Sequence, residues 1–195
     1  MDSLKAYLND HGIITNRQAQ GLGYDRHTLS ELVKKGELKR LRPGVYQDKD
    51  AARDDFAYIA SNSERIIFSH QTALYLHDLS DRAPGTFHIT VPQGYNAAHI
   101  KKRYENLQVH YVKKERHELG RSEIRTPPGN RVAVYDMERT ICDLIMDREK
   151  TDKQIFIDAM QRYFKASNKN VIRLIKYSRA FIIEEELRKY MEVLL

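Results

Sequence analysis

Little in this sequence suits a secreted, membrane-embedded or disulfide-stapled protein. Cys142 is its single cysteine, so no intramolecular disulfide can form, and a reducing cytoplasm is the expected location. No run of eighteen apolar residues occurs, which leaves no candidate membrane span. The opening MDSLKAYLND has no basic stretch followed by an apolar one, so no secretory signal is expected. The sequence also lacks a P-loop, HExxH, GxSxG or GxGxxG pattern. Nor is there a Pro-Asp followed by a spaced acidic-x-Lys cluster, the usual mark of metal-dependent nucleases. Glu37 and Lys39 share only the local spacing. The expectation is therefore a protein that is not an enzyme and holds no cofactor or metal.

What remains is a soluble composition with a modest positive excess. Of 195 residues, 41% are apolar and 31% charged, enough for one large domain or two small ones. The net charge is +6 and the isoelectric point about 9.3. The excess gathers between Arg26 and Arg42, between Lys101 and Arg131, and between Arg148 and Arg179. Charge of this size is only a weak pointer to nucleic acid, because many basic proteins merely solvate it. The local pattern has to separate the two cases.

Leu4, Tyr7 and Leu8 mark a short amphipathic helix that Gly12 stops. Ile13 and Ile14 form an apolar bridge. Thr15, with Gln18 three residues on, predicts a capping box for a second short helix, which Gly21-Leu22-Gly23 breaks. Asp25 caps a third helix over about 25–35, with Leu29, Leu32 and Val33 on one face and Gly36 at its end. GELKRLRPGVYQ then reads as a hairpin around Pro43-Gly44. Helix, helix, glycine turn, helix and hairpin in this order predict a winged helix-turn-helix over residues 1–48.

In such a unit the third helix enters the major groove of double-stranded DNA. Its polar face carries Arg26, His27, Ser30, Glu31 and Lys34, with Tyr24 at its entry. Arg26 is placed for a bidentate contact to guanine. The hairpin adds Lys39, Arg40 and Arg42, and the preceding helix offers Thr15 and Asn16 to phosphates. For any one of these residues a solvated charge is as good a reading; the ordered set points to DNA.

The charged DKDAARDD segment reads as a domain exit, followed by a second domain over 53–195. Two helices flank the apolar Ile66-Ile67-Phe68. Alternating strands follow at Phe87–Val91 and Leu107–Val112, and further strands lie within 122–134. Helices are expected over 137–147, 152–165, 169–180 and 183–194. The fold class is therefore α+β with a helical C-terminal end. His70 and His77 share a predicted helix face and read as core or surface histidines. Cys142 reads as an inert buried thiol. Met137-Glu138-Arg139-Thr140 opens a helix either as a structural ion pair or as a nucleotide or RNA contact.

The stretch ITNRQAQGLGYDRHTLSELVKKGELKRLRPGVY, from Ile14 to Tyr46, resembles the N-terminal domain of AbiEi-type antitoxins and regulators. FSHQTALYLHDLSDRAP, FHITVPQGY and VYDMERTICDLI follow in that family's order, so the resemblance covers nearly the whole chain. It implies the antitoxin of a bacterial type IV, abortive-infection toxin–antitoxin pair with a role in phage defence. It further implies autorepression through promoter inverted repeats, and a C-terminal domain that opposes an AbiEii-like nucleotidyltransferase toxin, with which it need not form a stable complex. Candidates for the antitoxin surface are Lys101, Lys102, Arg103, Lys113, Lys114, Arg116, Arg139, Arg173 and Lys176. Two other readings stay open: a ligand-responsive regulator without antitoxin activity, and a DNA-processing enzyme with a degenerate nuclease-like domain.

Overall fold

Glycines stop the helices of the N-terminal region where chain reversals are needed, and a computed structural model describes the outcome for residues 2–194. Helix α1 (Asp2–His11) ends at Gly12, whose φ of +72° a residue with a Cβ would adopt only under strain. Strand β1 (Ile13–Thr15) comes next, then α2 (Asn16–Gly21) and α3 (Arg26–Lys34). The hairpin consists of β2 (Leu38–Arg42) and β3 (Val45–Asp48). The Ile13–Ile14 bridge is in fact a strand. It pairs antiparallel with β3, Ile14 opposite Tyr46, and gives a sheet of order β1-β3-β2.

Leu4, Leu8, Ile14, Ala19, Leu29, Leu32, Leu38 and Tyr46 form the core beneath this sheet. Each fully buried Leu or Ile contributes roughly 1.5–3 kcal/mol. A second small cluster joins Ile13 and Val45 to Ala57 of α4 (Asp55–Ala60). Helix α4 therefore belongs to the first unit, and the division of the chain differs from the one expected at 48–53. One compact unit runs to Glu64 and takes in Ile124–Val132; the other comprises Arg65–Glu123 and the chain from Ala133 onward.

Asp54 shows why. Its Oδ1 caps α4 by accepting from the N–H groups of Phe56 and Ala57 at 2.9 and 3.1 Å. Its buried Oδ2 accepts from Thr126 Oγ1 at 2.5 Å and Asn130 Nδ2 at 2.7 Å. Asp10 likewise accepts from Arg125 and Arg131 at 2.7 and 2.9 Å. The acidic residues of DKDAARDD thus include a helix cap.

The second unit is α+β. It contains β4 (Ile67–Phe68), β5 (Phe87–Pro92) and β6 (Leu107–Val112), while β7 (Arg121–Arg125) and β8 (Arg131–Tyr135) each run across the unit boundary; the sheet order is β6-β5-β4-β8-β7. Strands β5 and β6 run parallel, with the short helix α6 (Ala98–Lys101) between them in sequence. Helix α5 (His70–Leu76) follows β4, and α7 (Lys114–His117) follows β6. The helical end comprises α8 (Met137–Met146), α9 (Lys153–Lys165), α10 (Val171–Phe181) and α11 (Glu184–Leu194). Asp136, Asp152 and Asn170 cap α8, α9 and α10 through their side chains. Leu74, Ile141, Leu144, Met160, Tyr163, Leu174 and Leu187 lie in the core these helices share. No helix among the described residues is long and apolar enough to cross a membrane.

Candidate nucleic-acid interface

Thr15 and Asp25 build the two helix starts that define the site. Thr15 Oγ1 accepts from the Gln18 N–H at 3.3 Å, and Gln18 Oε1 accepts from the Thr15 N–H at 2.9 Å, which closes the capping box on α2. Asp25 accepts from the Thr28 N–H and hydroxyl, both at 2.7 Å, and caps α3. Those bonds hold its carboxyl below the usual range. Gly23, at φ +87°, makes the turn between the two helices.

With Leu29 and Leu32 buried, α3 turns Arg26, His27, Ser30 and Lys34 outward; all four are exposed. A cleft of about 590 Å³ opens at the two helix starts. Asn16, Arg17, Gln20, Tyr24, Asp25, Arg26 and His27 line it. Arg17 and Gln20 were absent from the sequence-based set, although both are exposed on α2. Helical spacing alone leaves their position beside α3 undetermined. Tyr24 is half-buried, and its ring packs against the unit's core.

The remaining candidates divide. Ser30 Oγ donates to the Arg26 carbonyl at 2.9 Å, so its hydroxyl is in use within the helix. Lys34 pairs with Glu31 at 2.8 Å in an exposed ion pair that a phosphate could displace. Lys39 and Arg40 are exposed on β2. Arg42 is not available in the same way: Nη2 donates to Ser61 Oγ at 3.0 Å, and its guanidinium lies 5.0 Å from the Tyr58 ring centre. The pairing register slips between Arg40 and Arg42, and this bulge redirects the side chain. Asn16 faces the hairpin tip, its N–H donating to the Gly44 carbonyl at 2.9 Å.

In the second unit, Lys101, Lys102, Arg103, Lys113, Lys114, Arg173 and Lys176 are exposed, on or beside α6, α7 and α10. Arg116 is half-buried, 5.3 Å from the Phe181 ring centre. Arg173 reaches Asp136 and Glu138 at 3.7 and 3.6 Å. Arg139 was expected on a binding surface and is instead fully buried. Its Nε donates to Asp143 Oδ1 at 2.9 Å, and Nη1 donates to the carbonyls of Arg116 and Leu119 at 2.7 and 2.9 Å. Glu138 is buried too and accepts from Tyr163 Oη and the Asn170 N–H at 3.1 and 2.9 Å. The Met137–Thr140 segment is a structural network, which overturns its reading as a nucleotide contact.

His70 and His77 do not act together. His77 Nε2 donates to the Tyr135 carbonyl at 2.7 Å, and burial holds its pKa below 6.5. His70 instead meets His88 and His110. Burial and the neighbouring imidazoles push His88 down to about 4 and His110 to about 3. Cys142 is buried, and desolvation raises its thiol pKa far above the ordinary value, as expected for an inert thiol.

Residues 2–47 match the family model described as a transcriptional regulator, AbiEi antitoxin. The match covers α1 through the hairpin, the segment that carries the cleft. No curated protein matches the chain.

Proposed function

We propose that the first unit is a winged helix-turn-helix and that this chain is the autorepressor and antitoxin of a toxin–antitoxin operon. Helix α3 enters the major groove, and β2–β3 is the wing. Arg26 reads a base, and His27, Arg17, Gln20, Lys39 and Arg40 meet base edges or phosphates. The second unit opposes a nucleotidyltransferase toxin. The observation that carries the DNA reading is the cleft itself. Two capped helix starts converge on it, with Arg17, Arg26 and His27 exposed at its wall while Leu29 and Leu32 anchor α3 from behind. Exposed guanidinium groups there attract phosphate, and Arg26 has the reach for guanine.

The test is a binding titration of the full chain against the DNA upstream of its own gene, beside a scrambled duplex. Specific binding is expected, and Arg26→Ala should weaken it by about 1–3 kcal/mol. Equal affinity for both duplexes, unchanged in Arg26→Ala, would falsify the reading. Antitoxicity is scored separately by co-expression with the toxin from the neighbouring gene. Arg26→Ala should lose repression and keep protection.

A further inference from the structure

We propose that His70, His88 and His110 form a binding site for a first-row divalent metal ion, with Zn²⁺ the ion their ligand set fits best. The site lies wholly in the second unit and is independent of the DNA-binding reading.

Strand pairing creates the first half. His88 on β5 stands opposite Gln108 on β6, and Thr90 stands opposite His110. Side chains two residues apart on a strand share a face, so the two imidazoles sit diagonally on one face of the sheet. His88 Nδ1 and His110 Nε2 are 3.0 Å apart. His70, the first residue of α5, supplies the third ring, stacked on His110 with centroids 3.6 Å apart and planes 11° apart. One nitrogen from each ring lies within 4.8 Å of the other two. Around a tetrahedral Zn²⁺, ligand nitrogens stand about 3.4 Å apart, given Zn–N distances of about 2.0–2.1 Å. Because an ion must lie in the plane of each ring, binding turns the near-parallel rings of His70 and His110 out of their stack until their lone pairs converge.

The backbone favours this assignment. His70 holds φ at +50°, a left-handed conformation unusual for a residue with a Cβ. Both ring nitrogens have partners here, so ligation displaces one of them: giving up the Ser69 contact at Nδ1 leaves the Asp147 pairing in place. Nδ1 lies 2.9 Å from Ser69 Oγ, which also accepts from Thr90 Oγ1 at 2.8 Å. Nε2 lies 3.4 Å from Asp147 Oδ2. A carboxylate against a ligating histidine orients its ring and raises its basicity. Asp147 fills that role as a positioning residue.

The three rings also border a cleft of about 480 Å³, whose wall includes Gln71, Gln108 and Lys150. Three imidazoles with an open side leave a coordination position for water or an exchangeable anionic ligand, the arrangement of zinc sites that are not purely structural. Sequence could not show this: the three histidines come from different elements, and only the strand register aligns two of them.

The test uses the untagged, metal-free full chain and Zn²⁺ alone, followed by calorimetry. One ion per chain is expected, with a rise in Tm as Zn²⁺ is added. Co²⁺ should bind at the same stoichiometry and give the visible absorption of a four-coordinate site. His88→Gln and His110→Gln, each shown folded by circular dichroism, should lower affinity at least about tenfold, and Asp147→Asn by about 10–100-fold. His99→Gln, an exposed histidine outside the cluster, should change nothing. If wild type binds Zn²⁺ no better than His88→Gln and His110→Gln, or if His99→Gln has the same effect as they do, the site does not exist and the rings only pack.

Discussion

The backbone N–H of Asn16 donates to the carbonyl of Gly44 at 2.9 Å, which ties the first turn of α2 to the tip of the β2–β3 hairpin. Gly44 has φ of +74°, and a Cβ placed there would come within 2.8 Å of Asn16 Nδ2. Gly44→Ala should therefore cost about 1–3 kcal/mol, from left-handed strain and displacement of the Asn16 side chain. Replacing Asn16 by Ser in that background should return the steric part only. Urea denaturation of the four members of the cycle checks this. Additive effects would show that the two residues are uncoupled.

Lys39 and Arg40 should behave differently from Arg42, although all three are basic residues of one strand. Lys39→Ala/Arg40→Ala should flatten the log–log salt dependence of DNA binding by about two units and leave Tm nearly unchanged. Arg42→Ala removes the Ser61 hydrogen bond and the Tyr58 contact, so it should lower Tm without altering the salt slope. A salt slope that Arg42→Ala reduces and Lys39→Ala/Arg40→Ala does not would reverse these roles.

Arg139→Ala should be among the most destabilising substitutions in the second unit, at about 3–5 kcal/mol. It strands the Asp143 carboxylate, which is 3% exposed, and two carbonyls that the guanidinium now satisfies. It also leaves a void between the rings of Tyr135 and Phe181, whose centres lie 4.1 and 4.4 Å from the guanidinium carbon. Arg139→Lys should not rescue stability, because one ammonium cannot reproduce the planar fork. Arg139→Met/Asp143→Leu should recover much of the loss, since no lone charge then remains buried. Equal stability of Arg139→Lys and wild type in chemical denaturation would contradict this account.

Ile182 joins α10 to α11 with φ of +61° and is 86% exposed. A β-branched residue is poorly suited to that left-handed position, which closes the end of α10. Ile182→Gly should stabilise the protein by about 1 kcal/mol, the strain released exceeding the entropy glycine adds to the unfolded chain. A lower denaturation midpoint in the variant would mean that Ile182 makes a contact outweighing its strain.

Local chemistry made much of this molecule legible. Thr15 with Gln18 and Asp25 mark helix starts, and Gly12 and Gly36 mark stops, because caps and left-handed turns act within a few residues. The outward face of α3 followed from the placing of Leu29 and Leu32. What escaped depends on long-range pairing. The bulge at Arg40/Arg42 turned a presumed wing residue inward. The β5–β6 register assembled His88 with His110. The buried setting of Arg139 arises from the carbonyls of Arg116 and Leu119, some twenty residues away. DKDAARDD looked like an exit because its charges are dense, yet Asp54 spends its charge on Phe56, Ala57, Thr126 and Asn130.

The return of residues 124–132 to the first unit sets an order on biosynthesis. When the ribosome has made only the first 64 residues, the Asp54 carboxylate lacks both Thr126 and Asn130, and Asp10 lacks both Arg125 and Arg131. The N-terminal unit then holds its hydrophobic clusters but lacks these polar partners, and it waits for roughly half of the following unit to be translated. A nascent chain stopped before residue 124 would therefore carry a first unit whose Asp10 and Asp54 carboxylates lack these side-chain partners.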